Sequence, residues 1–189
     1  MPVEGENMEI LDIVDENGMP TGKTEERKAV HRQGLYHRTS HLWVLRRRGG
    51  QLQLLLQKRS EDKDSFPGCY DISSAGHIPA GHDFIPSALR ELREELGLAA
   101  GPEELIYLGT RRITDDQFFH GAPFHDRQIS RVYAVFRDIE AEDIEFQKSE
   151  IQEVKWLSFE SCVQMVSSGS PANCVSMEEL NMIKSMFAI

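Results

Sequence analysis

Residues 76–98, GHIPAGHDFIPSALRELREELGL, constrain this chain more than any other stretch. Their second half, 86–96, reads as one helix. Pro86 is tolerated in a first helical turn, and Gly97 stands where a helix C-terminus favours glycine. At about 100° per residue, Leu89, Leu92 and Leu96 gather on one side. Glu91, Glu94 and Glu95 fall within an arc of about 100° on the other, because spacings of three and four return to one face. The apolar stripe asks for a core, and the carboxylates face away from it. Taken alone, the cluster is a solvated acidic face with Arg90 and Arg93 as partners. Like charges at this spacing repel. A hard divalent cation offsets that cost, since Mg²⁺ takes carboxylate oxygens and keeps several waters.

The wider spacing is more specific. Gly76, Arg90, Glu91, Leu92, Glu94, Glu95, Gly97 and Leu98 stand in register with G-x5-E-x7-R-E-U-x-E-E-x-G-U, where U is a bulky aliphatic residue. Eight of nine defined positions match over 23 residues, and His82 alone departs, replacing the first Glu. This is the signature of the Nudix hydrolases, which the chain therefore resembles. The resemblance implies an α/β fold, the Nudix α/β/α sandwich with a mixed central sheet. It also implies a Mg²⁺ (or Mn²⁺) cofactor and hydrolysis of a diphosphate linkage. The substrate would be a nucleoside diphosphate linked to another moiety, or a similar small molecule.

By that resemblance Glu94 and Glu95 are metal ligands, and Glu91 is a ligand or the base that orients water. Arg90 holds the carboxylates through charge-assisted hydrogen bonds. A further carboxylate from outside the helix completes many such sites. Glu150 is the first candidate, Glu153 the second, and Asp115 or Asp116 the third; Glu150 as a plain surface charge stays open. A histidine at position 82 cannot supply the fixed negative charge that would pair with Arg90. Its side chain can bind a softer divalent metal through nitrogen, or Asp83 can take the missing role. The position can also be a supporting one whose loss weakens the site without abolishing it. A chain that has lost hydrolysis would remain a diphosphate-binding module.

Flanking residues narrow the resemblance. His31, then YHRTSHLWV, then LLLQKRSEDKDSFPGCYDISSAGHIPAG are similar to Nudix proteins related to isopentenyl-diphosphate isomerase, over roughly residues 9–157. In that isomerase, histidines before the first sheet strand and just after the signature Gly hold part of a metal. His31, His37 and His77 lie at comparable places, although the His31–His37 spacing differs by about a residue; satisfied core or surface histidines are the alternative. The isomerase also needs a cysteine immediately before the Gly-His pair. Here Ala75 stands there and Cys69 lies six residues earlier, so the acid–base partner is missing. An isomerase-like Nudix hydrolase is the reading that survives. By the same comparison Lys58, Arg59, Lys63 and His77 lie near the substrate phosphates, against a solvated charged loop for the lysine–arginine run. Trp43, Phe66, Phe118 and Phe119 are candidates to stack on a base, with core packing favoured for Trp43 and Phe66.

A length of 189 residues suits one domain with an N-terminal extension over 1–35, the signature over 76–98 and C-terminal helices over 159–189. The net charge of −10 argues against a nucleic-acid backbone as main partner. Small phosphorylated substrates stay open, because a metal neutralises their charge locally. Cys69, Cys162 and Cys174 show no metal-ligand spacing, which fits thiols in a reducing compartment. The start MPVEGENMEI lacks an apolar run, and no window approaches 18 consecutive apolar residues. These features predict a cytoplasmic protein without a membrane segment, and the family resemblance implies a homodimer.

In chain order, 9–14 alternates as a half-buried strand does, and Asn17-Gly18 is a hairpin turn signal. Residues 24–31 read equally as strand or short helix. Strands are expected at 36–46, 53–58 and 71–76, then at 106–113, 128–136 and 153–157. Residues 114–127 read as a polar, aromatic, His-containing loop, long for a plain connection and expected to carry substrate contacts. Amphipathic helices follow at 159–167 and 176–187, the latter with Leu180, Ile183 and Phe187 at helical spacing. Periodicity by itself indicates only mixed α and β.

Overall fold

Strand β3 (His37–Arg48) is the axis of the sheet in the computed structural model of this chain, which describes residues 9–189. The acidic start, residues 1–8, lies outside the described residues. Leu42, Trp43, Val44 and Leu45 in β3 are all buried, as a strand covered on both faces requires. On one edge β3 runs parallel to β8 (Ala122–Phe136), from His37 opposite Gln128 to Leu45 opposite Phe136. β7 (Ile106–Phe119) pairs antiparallel with β8 beyond it.

On its other edge β3 changes partner. Leu45 to Arg48 pair with β4 (Gln51–Arg59), whereas Thr39 to Leu42 pair with β6 (Ser74–His77). β3 and β4 therefore part toward His37 and Arg59. The chain between them lays β5 (Tyr70–Asp71) on β4 and β6 on β3. Ser73 Oγ bridges the parted strands, accepting from Val44 N at 2.7 Å and donating to Leu55 O at 2.6 Å. β9 (Ile151–Ser158) closes the far edge of β4.

The two faces carry separate cores. Leu42, Val44 and Leu55 pack with Tyr133 and Val135 under helix α2 (Phe84–Leu96), which contributes Leu92 and Leu96. Trp43, Leu45, Leu54 and Val132 pack on the opposite face against α3 (Phe159–Ser168) and α4 (Met177–Phe187). Each fully buried leucine contributes roughly 1.5–3 kcal/mol. The result is the expected α/β/α sandwich around a mixed sheet. Among the described residues no helix is long and apolar enough to cross a membrane.

Helix α2 begins two residues before the expected Pro86, because Asp83 caps it and accepts from Phe84 N at 2.7 Å. It stops at Gly97, where φ is +64° and an added Cβ would meet Glu145 O at 2.8 Å. Both the backbone angle and the close approach demand glycine.

Three stretches differ from expectation. The single strand expected at 71–76 is two, β5 on β4 and β6 on β3, because the chain crosses between the parted strands at Ile72 and Ser73. Residues 24–31 divide between β2 (Pro20–Glu26) and helix α1 (Arg27–Gln33), which Gly34 ends in the left-handed conformation. β2 pairs with β1 (Ile10–Val14) in a separate hairpin whose Leu11 and Ile13 pack on Val30 of α1. Residues 114–127 are no loop. β7 and β8 stay in register from Ile113 opposite Gln128 to Phe119 opposite Ala122, turning on His120 and Gly121, both at positive φ. One face of the hairpin, with Ile113, Asp115, Phe124 and Asp126, lines the cleft and the other is solvated; because the inward face is largely polar, no apolar alternation marks the strands. The His120-Gly121 pair is the cue that was there to be used.

Candidate active site

Helix α2 lies across β6, and this contact sets the carboxylates. Gly76 in β6 leaves room for Glu91, whose Cγ would be 2.4 Å from a Cβ at position 76. Arg90 Nη2 donates to Glu91 Oε1 at 2.6 Å. One turn on, Glu95 Oε2 stands 3.4 Å from the Ala75 N–H and 3.5 Å from Gln57 Nε2. Burial pushes the Glu91 carboxyl up to about 7, with the Arg90 charge opposing and Glu94 adding to the rise. Burial, with the charge of Glu91 added, pushes Glu95 up to about 8. Two carboxyls kept out of water beside a third are a donor set that fits a hard divalent cation, which would restore their ionised forms.

These groups line one cleft of about 850 Å³ at the end of the sheet where β3 and β4 part. Glu91, Glu94, Glu95 and Arg90 form part of the wall. Arg59, Lys63 and Glu150 line it as well, and Lys63 is ion-paired to Glu150. Arg59 is anchored by Asp71 at 3.1 Å and by Ser65 O. Of the alternative carboxylates, Asp115 reaches the cleft, whereas Glu153 accepts from the Tyr70 hydroxyl and Asp116 is held by His125 and Arg127. Lys58 and Phe118 lie outside the lining, and Phe118 is 68% exposed on the projecting hairpin. The aromatic rings that do line the cleft are Phe66 and Phe124. Trp43 is core, as packing favours.

His82 is exposed beside the cleft. Its segment is fastened without its side chain: Arg38 Nη2 donates to His82 O and to Asp12 Oδ2, each at 2.9 Å, and Asp12 Oδ2 accepts from Gly81 N at 2.9 Å. Ala80 N donates to Ile10 O at 2.8 Å. The N-terminal hairpin thus straps the loop where the signature has its first Glu.

A second donor cluster sits at the end of the same cleft. His31 of α1, His37 of β3 and His77 of β6 bring one ring nitrogen each within 4.8 Å of one another. Asp126 Oδ1 of β8 stands 3.8 Å from His31 Nε2 and 3.9 Å from His37 Nε2. His37 Nε2 and Asp126 Oδ1 are buried with no hydrogen-bond partner among the described residues. His31 Nδ1 and His37 Nδ1 each donate to a backbone carbonyl, Arg27 O and Leu35 O, both at 3.0 Å. That tautomer leaves the Nε2 lone pairs aimed at the cluster. Burial, then the charges of His37 and Arg27, pull His31 down to about 3. Burial lowers His37 to about 4 and holds His77 well below its ordinary value. Asp126 is pushed up to about 6 by burial. Three neutral imidazoles and a carboxylate with unpartnered atoms fit a borderline divalent metal better than a hard one. Asp126 was not among the sequence candidates, since nothing in its spacing ties it to three histidines on other elements.

Residues 35–172 match the NUDIX domain. Nudix hydrolase 3 of Arabidopsis thaliana is 39% identical over 167 residues, covering 87% of this chain and 21% of that protein. An uncharacterized Nudix hydrolase of Clostridium acetobutylicum is 41% identical over 143 residues, covering 76% of this chain and 66% of that one. The chain thus spans about a fifth of the plant relative's length and about two-thirds of the clostridial one's. Among solved structures, DR0079 from Deinococcus radiodurans superposes with a TM-score of 0.67 at 19% identity, covering 94% of this chain and 98% of that one. The NUDIX domain of Shewanella oneidensis NrtR, complexed with ADP ribose, superposes at 0.56 and 17% identity over 79% of this chain and 87% of that one. These two show a shared fold. The signature residues on α2, the sandwich that carries them and the domain match over most of the chain agree: this chain belongs to the Nudix hydrolase family.

Proposed function

We propose that this chain is a divalent-metal-dependent pyrophosphohydrolase of the isomerase-like branch. Its substrate is a nucleoside diphosphate linked to another moiety, or a similar small diphosphate. The observation that carries this reading is the gathering of Glu91, Glu94 and Glu95 in one cleft with Arg59 and Lys63. Mg²⁺ or Mn²⁺ held by the three glutamates would neutralise the diphosphate and acidify a water. Glu91, kept ionised once the cation is bound, would be a ligand or the base that orients the attacking water. Arg90 fixes that carboxyl in place. Arg59 and Lys63 supply cations to the phosphates, and Glu150 holds Lys63 at the cleft until substrate competes for it. His31, His37, His77 and Asp126 would hold a second, softer divalent metal. The ADP ribose bound by the NrtR domain supports the nucleoside-diphosphate class.

The histidine cluster also favours a second reading, isopentenyl-diphosphate isomerase, since that enzyme uses histidines at comparable places. Ala75 opposes it: the side chain is apolar and packs against the α3–α4 core, leaving no titratable group before Gly76.

A panel of dinucleoside polyphosphates, NADH, ADP-ribose, nucleotide sugars, CoA and isopentenyl diphosphate tests these readings. Each is incubated with Mg²⁺, Mn²⁺ or chelator while phosphate or nucleotide release is followed. Metal-dependent release is the expected result. Ligand-induced melting shifts without product would overturn the hydrolase in favour of a binding module. Deuterium exchange into isopentenyl diphosphate would overturn it in favour of the isomerase.

A further inference from the structure

On the α4 side of the cleft stands a histidine that neither donor cluster uses. His41 Nδ1 lies 2.7 Å from Glu179 Oε1. Glu179 belongs to α4 and is only 1% exposed, beside the core residues Leu180 and Ile183. It accepts two further hydrogen bonds, from Trp43 Nε1 at 2.9 Å and from Arg111 Nη1 at 3.1 Å. An apolar side chain at 179 would simply extend the core stripe of α4. A carboxylate there is costly unless paired, and of its three partners His41 and Arg111 line the cleft while Trp43 is core.

The imidazole is 14% exposed and lines the cleft, and among the described residues its Nε2 has no hydrogen-bond partner. The β3–β6 register sets His41 opposite Ala75, whose N–H is 3.4 Å from Glu95 Oε2. His41 therefore stands one strand from the carboxylate cluster, on a wall that also presents Arg111 and Arg59.

We propose that His41 is a further substrate-contacting residue, donating a hydrogen bond from Nε2 to the phosphate that water does not attack, and that Glu179 is its positioning residue. The proposal rests on the pyrophosphohydrolase reading and requires no proton transfer, only a donor held in place. Burial opposes the imidazolium, but the charge and hydrogen bond of Glu179 outweigh it, with Asp71 helping and Arg111 opposing, so the His41 pKa is raised. The carboxylate thus favours the doubly protonated ring, the form in which Nε2 donates, as well as fixing the ring's angle. A diphosphate is the ligand class this arrangement fits. One end reaches the glutamates through a cation, and the other meets an N–H donor backed by a buried carboxylate.

The test uses the full chain and inorganic pyrophosphate as probe, with Mg²⁺ present. Calorimetry measures affinity, and long-range ¹H–¹⁵N spectra follow the imidazole nitrogens. Pyrophosphate is expected to shift one Nε2 resonance that disappears in His41→Gln. Affinity should fall about tenfold in His41→Ala and severalfold in Glu179→Gln, as for loss of one charge-assisted hydrogen bond. His41→Gln, which keeps an N–H near the same place, should recover part of the loss. Mg²⁺ affinity should not change in any of the three. Pyrophosphate affinity unaltered in His41→Ala, or an imidazole shift that persists in His41→Gln, would overturn the proposal alone. Absence of Mg²⁺-dependent pyrophosphate binding in wild type would overturn the hydrolase reading and this inference together.

Discussion

Gly76 and Glu91 occupy the same space in turn: a Cβ on the glycine would come within 2.4 Å of the glutamate Cγ. The signature glycine is thus a steric complement to the signature carboxylate. It lets α2 lie close enough to β6 for Glu91 and Glu95 to face the cleft.

The consequence is testable with Gly76→Ala. The clash falls on a side chain rather than backbone, so the fold should survive, with a stability loss of about 1 kcal/mol. Glu91 must swing away, and a displacement of about 1 Å in a catalytic group costs on the order of 100-fold in rate. Turnover at the wild-type rate, measured on the best substrate of the panel, would sink the assignment of Glu91.

Glu94→Gln and Glu95→Gln should each lower kcat by orders of magnitude while leaving the fold intact. For Glu95 the direction of the stability change is also set. Its folded pKa, about 8, is raised above the ordinary 4.5, so the ionised form is disfavoured by folding. In chelator, the cost of holding that charge grows as pH rises from about 4.5 through about 8. Glu95→Gln, which carries no charge, should therefore melt at or above wild type at pH 8.5. A lower melting temperature in the metal-free variant contradicts this.

Protons and cation compete for Glu91 and Glu95. The rise in melting temperature caused by Mg²⁺ should be small at pH 6, where both carboxyls hold their protons, and larger at pH 8.5. Equal increments at the two pH values would show that these carboxyls are not the ligands.

At the histidine cluster the metal preference should reverse. Co²⁺ or Zn²⁺ should bind more tightly than Mg²⁺, with a visible Co²⁺ spectrum that His37→Ala and Asp126→Ala each abolish. A Co²⁺ spectrum unaffected by both substitutions would place the metal elsewhere.

The strap over the signature loop predicts a contrast. His82→Glu should change stability by less than about 0.5 kcal/mol, because the loop is held through the His82 carbonyl and not its side chain. Arg38→Ala should cost about 2 kcal/mol, since one guanidinium nitrogen serves both Asp12 and His82 O. Denaturant melts of the two variants measure both, and equal losses would remove the strap.

Much of this molecule was written locally. Leu89, Leu92 and Leu96 against Glu91, Glu94 and Glu95, bracketed by Pro86 and Gly97, predict α2 to within two residues because a helix repeats every 3.6 positions and ends where glycine allows. LWVL in β3 and the leucine run of β4 are legible as strands for the same kind of reason. The hairpin over 114–127 was not, because its inward face lines a polar cleft rather than an apolar core and imposes no apolar alternation.

The sequence by itself determined the signature helix and its cluster of carboxylates, and its resemblance to the family supplied the sandwich. Only the tertiary structure decided that His31, His37 and His77 meet Asp126, and that Glu179 of the last helix stands behind His41, 138 positions earlier. The reason is physical. Periodicity records which face a residue takes on its own element, whereas a site is made where different elements cross, and the β3–β6–β8 register that brings these residues together leaves no spacing rule along the chain.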